Sequence, residues 1–282
     1  MNQLSVYGST GFIGSEYCKL FNDNIEIPRD QDEPETNNLL YLISTIHNYN
    51  VFDNIKLDVD TNLVKLLNVI KSSNSKYGED FTFNFISSWF VYGKTDSLPA
   101  TEDSVCNPKG FYSITKRTAE QLIMSYCETF GIKYRILRLC NVYGDYDKKS
   151  SKKRNALQYL IEEVVKGNDI NLYDCGENIR DFLHIRDVCN AIKLTVDSDK
   201  TINKIINIGS GVPTKFIDVM NYVKTKTNSL SKFNFIDPPP FHKVVQVQDM
   251  YLETSFLKSL GFNQSISMYE GVDKLINTIN GN

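Results

Sequence analysis

The chain has 282 residues, 41% hydrophobic and 23% charged, a composition that fits a globular protein and excludes a disordered one. Its 31 Lys and Arg nearly balance its 34 Asp and Glu, a net charge of −3, so it lacks the basic field that nucleic-acid binding needs. The start, MNQLSVYGSTGFIG, lacks the charged lead and long apolar run of a signal peptide, and no stretch approaches the roughly 20 apolar residues of a membrane span. The six cysteines, Cys18, Cys106, Cys127, Cys140, Cys175 and Cys189, are scattered without a C-x-x-C pair. They are expected as reduced thiols of a cytoplasmic protein, with no zinc site.

In chain order, LSVYG (4–8) reads as a strand, followed by a helical pattern through Leu20. Strands follow at IEI (25–27) and LLYLIS (39–44). Leu63, Leu66, Leu67 and Ile70 stand at i, i+3, i+4, i+7 spacing, which predicts a helix over about 55–73. Next come the apolar strand FTFNFIS (81–87), a helix over about 110–130 and the strand YRILRL (134–139). Apolar strands alternating with helices predict an α/β protein, a doubly wound parallel sheet covered on both faces. Beyond Gly144 a basic run from Lys148 to Arg154 leads to a helix near 155–166 and a strand near 169–173. KIINIG (204–209) reads as a further parallel strand, and helices near 216–226 and 268–279 flank Pro238-Pro239-Pro240. The expected division is a dinucleotide-type core over 1–145 plus about 180–212, with a smaller lobe from about 146–179 plus 213–282.

Gly8-Ser9-Thr10-Gly11-Phe12-Ile13-Gly14 lies between the first strand and its helix. Glycines there let the backbone turn sharply and approach a diphosphate, and a helix amino terminus offers N–H groups to an anion. The spacing is G-x-x-G-x-x-G, so the signal by itself is moderate. At the end of the second strand an acid suits a ribose 2′-hydroxyl and a base suits a 2′-phosphate. IEIPRD puts Arg29 there with Asp30 beside it; Arg29 favours NADP, Asp30 keeps NAD open, and both could simply solvate a turn.

Tyr112 and Lys116 are four residues apart at the start of a helix, which places phenol and amine on one face. An ammonium and a cationic nicotinamide are both expected to favour the phenolate and lower the tyrosine pKa. Ser88, at the end of strand 81–87, is positioned to hydrogen-bond an oxygen whose proton moves.

With these residues in place, the sequence resembles the extended short-chain dehydrogenase/reductase family, in its nucleotide-sugar epimerase/dehydratase branch. The resemblance rests on GSTGFIG (8–14), SSWFVYG (87–93), NPKGFYSITK (107–116), LRLCNVYG (137–144), RDFLHIRDV (180–188) and NIGSG (207–211). It implies that Ser88 and Tyr112 are the catalytic pair, with Lys116 holding the nicotinamide ribose and tuning Tyr112. It further implies a cofactor turn of Gly8, Gly11, Phe12, Ile13 and Gly14, and a channel lined by Ser44, Thr45 and Cys140. Asn141 and Arg180 match positions that contact the substrate's nucleoside diphosphate, and a homodimer is implied as well.

The departures are informative. Dehydrating members carry two acids where this chain has Trp89 and Phe90, which argues against a 4,6-dehydratase. About a dozen residues separate the second strand from LLYLIS, so the usual third strand is expected to be lost or vestigial, which leaves the adenine pocket open to question. The family's late arginine has no counterpart, and His242 or Lys243 is a candidate substitute. Lys148 to Arg154 could gather a diphosphate or be a solvated loop, and Arg180 with Asp181 could be a plain ion pair. His47, His184 and His242 share no metal-ligand spacing, and His184 reads as a packed core residue. Trp89 and Phe90 fit a sugar pocket and the core equally.

The expected activity is hydride transfer at C4 of a nucleoside diphosphate sugar. A 4-keto-sugar reductase using NADP, in deoxysugar or surface-polysaccharide biosynthesis, leads; a UDP-sugar 4-epimerase recycling NAD is the alternative. A non-catalytic NAD(P)-sensing regulator is the reading from another class, against which an intact Ser88, Tyr112 and Lys116 speak.

Overall fold

A computed structural model of the chain describes residues 3–144 and 155–281. The basic run Lys148 to Arg154 lies outside the described residues.

Six parallel strands form the central sheet: β1 (Ser5–Tyr7), β2 (Ile25–Ile27), β3 (Asn38–Tyr41), β4 (Thr82–Ser88), β5 (Lys133–Leu139) and β6 (Lys204–Ile208). Their order is β6-β5-β4-β3-β1-β2. Six of the seven residues in each of β4 and β5 are buried, which explains why these segments read as nearly unbroken apolar runs. One face is covered by α1 (Phe12–Leu20) and, from later in the chain, the helix Ile185–Asp197, through Tyr17, Val188, Ile192 and Val196. The other face is covered by α2 (Lys65–Tyr77) and α3 (Phe111–Phe130), which contribute Leu66, Val69, Ile70, Ala119 and Ile123. Each such aliphatic side chain removed from water contributes about 1.5–3 kcal/mol before entropy is subtracted.

The chain leaves β1 toward β2 on one side and returns to β3 on the other, so a switch point opens between the carboxyl ends of β1 and β3. Only residues 28–37 join β2 to β3, where a parallel crossover ordinarily uses a dozen or more residues and a helix. Side chains of β1 hold this short crossing: Ser5 Oγ accepts the Glu35 and Thr36 N–H groups (3.0 and 2.8 Å), and Tyr7 donates to the Asp32 carbonyl (2.8 Å). Among the described residues β2 is the edge strand, and no third strand lies beyond it.

The helix expected at 55–73 is different in detail. A turn of helix at Leu57–Val59 passes through a π turn, Asp60–Val64, before α2 begins. The extra residue rotates the apolar stripe, so Leu66 and Ile70 are buried while Leu67 is 39% exposed. The strand expected near 169–173 is present: Ile170–Tyr173 pairs with Phe233–Ile236 in a separate two-stranded ribbon. That ribbon belongs to a third apolar cluster with α4 (Ala156–Val165), α6 (Phe216–Thr227) and α7 (Met268–Ile279), the helix Ile185–Asp197 being α5. Ser267 caps α7 and donates its own N–H to the Glu270 carboxylate (2.8 Å), which fixes where that helix starts. Among the described residues no helix is long and apolar enough to cross a membrane.

Candidate active site

The glycine turn occupies the switch point. Gly8 has φ +85°, and a Cβ on Gly14 would stand 2.2 Å from the Gly8 carbonyl oxygen, so both positions exclude a side chain. The turn therefore closes tightly onto α1, whose first N–H groups have no intrahelical acceptor and face the cavity beside them. Ser44 and Thr45 follow β3 on the far side of the switch point. Ser44 Oγ donates to Asn62 Oδ1 (3.1 Å), and the Thr45 N–H donates to the same oxygen (2.8 Å).

Ser88 ends β4. Its Oγ accepts the Phe90 N–H (3.3 Å), which caps the short turn Trp89–Val91 and holds the hydroxyl toward the cavity. Tyr112 and Lys116 rise from the first turns of α3, whose entry is fixed by the Gly110 N–H donating to Ser113 Oγ (3.1 Å). The Tyr112 phenol and the Ser88 hydroxyl line the same cavity. Lys116 turns under β4, where Nζ donates to the Ile86 carbonyl (2.5 Å) and lies 4.0 Å from the centre of the Phe85 ring.

The electrostatics correct one expectation. Burial disfavours the charged form of each group. It pushes the Tyr112 phenol up to about 12, against a lowering by the nearby Ser88 hydroxyl and with a further rise from the Asp58 carboxylate. It pushes the Lys116 amine down to about 7, with Glu120 acting in the opposite sense. The expected lowering comes from the ammonium together with a cationic nicotinamide; the protein's own groups leave the phenol raised, with burial the largest cause. Glu120 is itself sealed at zero exposure, bound by Arg138 at 3.0 and 2.8 Å, by Arg117 at 2.8 Å and by Ser87 at 2.6 Å.

Arg180 is 7% exposed and packs over the Trp89 ring at 5.4 Å. It donates to the carbonyls of Ile179 (2.7 Å), Val247 (2.7 Å) and Gln248, and burial lowers its pKa to about 10. It makes no ion pair with Asp181, whose carboxylate instead accepts Ser210 N–H and Oγ, Gly211 N–H and Leu252 N–H. Asn141 is held by a hydrogen bond from Nδ2 to the Asp181 carbonyl (3.1 Å).

A single cavity of about 1210 Å³ brings these groups together. Gly8, Gly11, Phe12, Ile13, Gly14 and Arg29 line one end; Ser44, Thr45, Ser88, Tyr112, Lys116 and Cys140 the middle; Asn141 and Arg180 the approach to the ribbon Ile170–Tyr173. Arg29 lines the cavity and the neighbouring Asp30 does not, which separates the two residues that the sequence left level. The volume exceeds the roughly 300–1,000 Å³ of a single small-ligand pocket and has room for two extended ligands. Cys140 is buried, and its thiol pKa is raised well above the ordinary range by that burial and by Asp181. Trp89 and Phe90 both line the cavity and both pack in the core. They stack at 3.9 Å; Trp89 belongs to the core, and Phe90 meets the Tyr112 ring edge-on at 6.0 Å.

His184 is fully buried and its Nδ1 caps α5 by accepting the Arg186 N–H (3.3 Å). His242 lines the cavity, bonded through Nδ1 to the Tyr49 hydroxyl (3.0 Å) and set against the Tyr173 ring at 4.7 Å, whereas Lys243 is exposed and away from it. Sequence reasoning missed Tyr49 and Tyr173, and no local signal marks them. It also missed a buried polar cluster of Thr45, Asn50, Asp58, Asn62 and Thr115 beneath the site. Five polar residues inside apolar elements were the one available hint.

Residues 39–209, more than half of the chain, match the model of the NAD dependent epimerase/dehydratase family. A putative UDP-glucose 4-epimerase of Methanocaldococcus jannaschii is 25% identical, over 98% of this chain and 98% of its own. Among solved structures, a UDP-glucose 4-epimerase of Thermotoga maritima with UDP-glucose superposes with a TM-score of 0.86 at 20% identity, covering 99% of each chain. RMD of Pseudomonas aeruginosa, complexed with NADPH, superposes equally well, TM-score 0.86 at 18% identity, over 100% of this chain and 99% of its own. Motif, sheet order and overall likeness thus converge, and the chain is a member of the NAD dependent epimerase/dehydratase family.

Proposed function

We propose that the chain is an NADP-dependent reductase of a 4-keto nucleoside diphosphate sugar. One observation carries the choice of cofactor and direction: after β2 the residue that lines the cavity is Arg29, a partner for a 2′-phosphate, and among the described residues the neighbouring Asp30 does not line it. The glycine turn fits a dinucleotide diphosphate, since its glycines let bare backbone fold tightly onto the amino terminus of α1, and both line the cavity. Gly8, Gly11, Phe12, Ile13 and Gly14 would hold that diphosphate, Ser44, Thr45 and Cys140 would line the channel, and Lys116 would hold the nicotinamide ribose. When bound, the cofactor supplies the hydride for the sugar carbon.

Tyr112 donates its proton to the C4 oxygen as charge develops there, and Ser88 steadies that oxygen with a second hydrogen bond. Burial favours the phenol form, which is the form a reduction needs. Asn141 and Arg180 orient the nucleoside diphosphate, and the cluster holding the ribbon Ile170–Tyr173 forms the substrate lobe. A homodimer would cover the exposed Val64 and Leu67 beside Phe111 and Ile114.

The test is to mix the protein with 4-keto nucleoside diphosphate sugars and follow NADPH and NADH absorbance. Consumption of NADPH in preference to NADH supports the reading. The second reading, a 4-epimerase, draws on the end-to-end likeness to the archaeal relative. Interconversion of gluco and galacto sugars without net cofactor consumption would establish it instead.

A further inference from the structure

Ser88 and Tyr112 stand on different elements, the end of β4 and the first turn of α3, so the distance between them is set by how that helix seats on the sheet. Tyr112, Lys116 and Glu120 follow one another at four-residue steps along one buried face of α3. Lys116 Nζ reaches the Ile86 carbonyl (2.5 Å), and Glu120 Oε1 accepts the Ser87 hydroxyl (2.6 Å). The helix is thus pinned to the two residues of β4 that immediately precede Ser88.

Glu120 also reaches the next strand. Ser87 of β4 and Arg138 of β5 are direct partners in the register of the sheet. Arg138 donates Nε and a terminal guanidinium nitrogen to the two oxygens of the same carboxylate (3.0 and 2.8 Å). It is itself 1% exposed, packed over the Tyr92 ring at 4.6 Å and bonded to the Glu102 carbonyl (3.1 Å), so it is held in place from behind. One carboxylate therefore joins three elements: α3 with Tyr112 and Lys116, β4 with Ser88, and β5 with Cys140 and Asn141 just beyond its end.

We propose that Glu120 is a positioning residue and Ser87 the arm through which it acts: the carboxylate clamps α3 to the paired ends of β4 and β5 and so fixes the Tyr112 phenol against the Ser88 hydroxyl. The proposal rests on reading those two as the reacting pair. Apolar side chains of the same volume would pack here without the cost of desolvating two charges. They would not be directional, and a site assembled from three elements needs direction to within a fraction of an ångström. Arg117 binds the same carboxylate (2.8 Å) but lies on α3 itself, so it pairs the charge without tying the helix to the sheet.

The experiment uses Ser87→Ala, which cuts the tie to β4 and leaves Glu120 paired with both arginines, so the fold is kept. Turnover with NADPH and a 4-keto nucleoside diphosphate sugar should fall about ten- to hundredfold, the effect of misplacing a reacting group, while KM for the sugar and affinity for NADPH stay within about threefold. In the crystal structure of this variant the separation of Tyr112 Oη and Ser88 Oγ should change by about 0.5 Å or more from that in crystals of the unchanged protein. Arg117→Gln, which removes charge pairing alone, should keep turnover within about twofold. Unchanged turnover or an unmoved separation in Ser87→Ala overturns the proposal, as does an equal loss of turnover in Arg117→Gln. If the unchanged protein reduces no keto sugar, the reductase reading fails by itself, and the crystallographic separation still decides the clamp.

Discussion

Replacing Lys116 by Met should make the protein more stable and less active. The amine is buried, and its pKa falls from 10.5 to about 7, so a proton held there at neutral pH is held against the cost of desolvation. At about 1.4 kcal/mol for each tenfold change in proton affinity, that burden is about 5 kcal/mol. Methionine matches the volume and has no charge. It forfeits the hydrogen bond to the Ile86 carbonyl and the contact with the Phe85 ring, which together offset about 1–2 kcal/mol. The net expectation is a stabilisation of about 3–4 kcal/mol, a rise in Tm of roughly 6–12 °C. The pH dependence identifies the cause. Between about 7 and 10.5 the unfolded chain binds the proton more readily than the folded one, so stability of the unchanged protein rises with pH across that window. The advantage of Lys116→Met should be full below about pH 7 and nearly gone by 10.5, as read by thermal unfolding across the series. A variant less stable at every pH, or an advantage independent of pH, would refute the reasoning.

Tyr112→Phe should reduce turnover by about 10²–10⁴-fold while leaving cofactor affinity within a few-fold, measured by steady-state rates and calorimetry; surviving turnover would refute Tyr112 as the proton donor. Gly14→Ala should weaken cofactor binding by more than about tenfold, because a Cβ 2.2 Å from the Gly8 carbonyl forces the backbone of the turn apart; fluorescence titration with NADPH measures it. Glu120→Gln leaves Arg138 buried without its countercharge and should cost about 3–5 kcal/mol in chemical denaturation. Glu120 has a folded pKa below its ordinary value, so its contribution is present above the unfolded value and is lost as pH falls through the folded one. The gap between Glu120→Gln and the unchanged protein should therefore narrow in acid.

Much of this molecule is local enough to be written along the chain. The glycines at 8, 11 and 14, the four-residue step from Tyr112 to Lys116 and the apolar runs of β4 and β5 each act over one turn or one strand, so their spacing alone implies their structure. What the fold decided is non-local. That Arg29 faces the cavity while Asp30 turns away depends on how residues 28–37 cross β1. The contact of Tyr49 with His242 joins positions 193 residues apart, and the Asp58 cluster links three separate elements. The direction of the Tyr112 and Lys116 shifts is the sharpest case: residue types suggest attraction between the two, but proton affinity follows the water excluded from around them. That exclusion is produced by the whole assembled sheet and its helices, and no segment of the chain carries it alone.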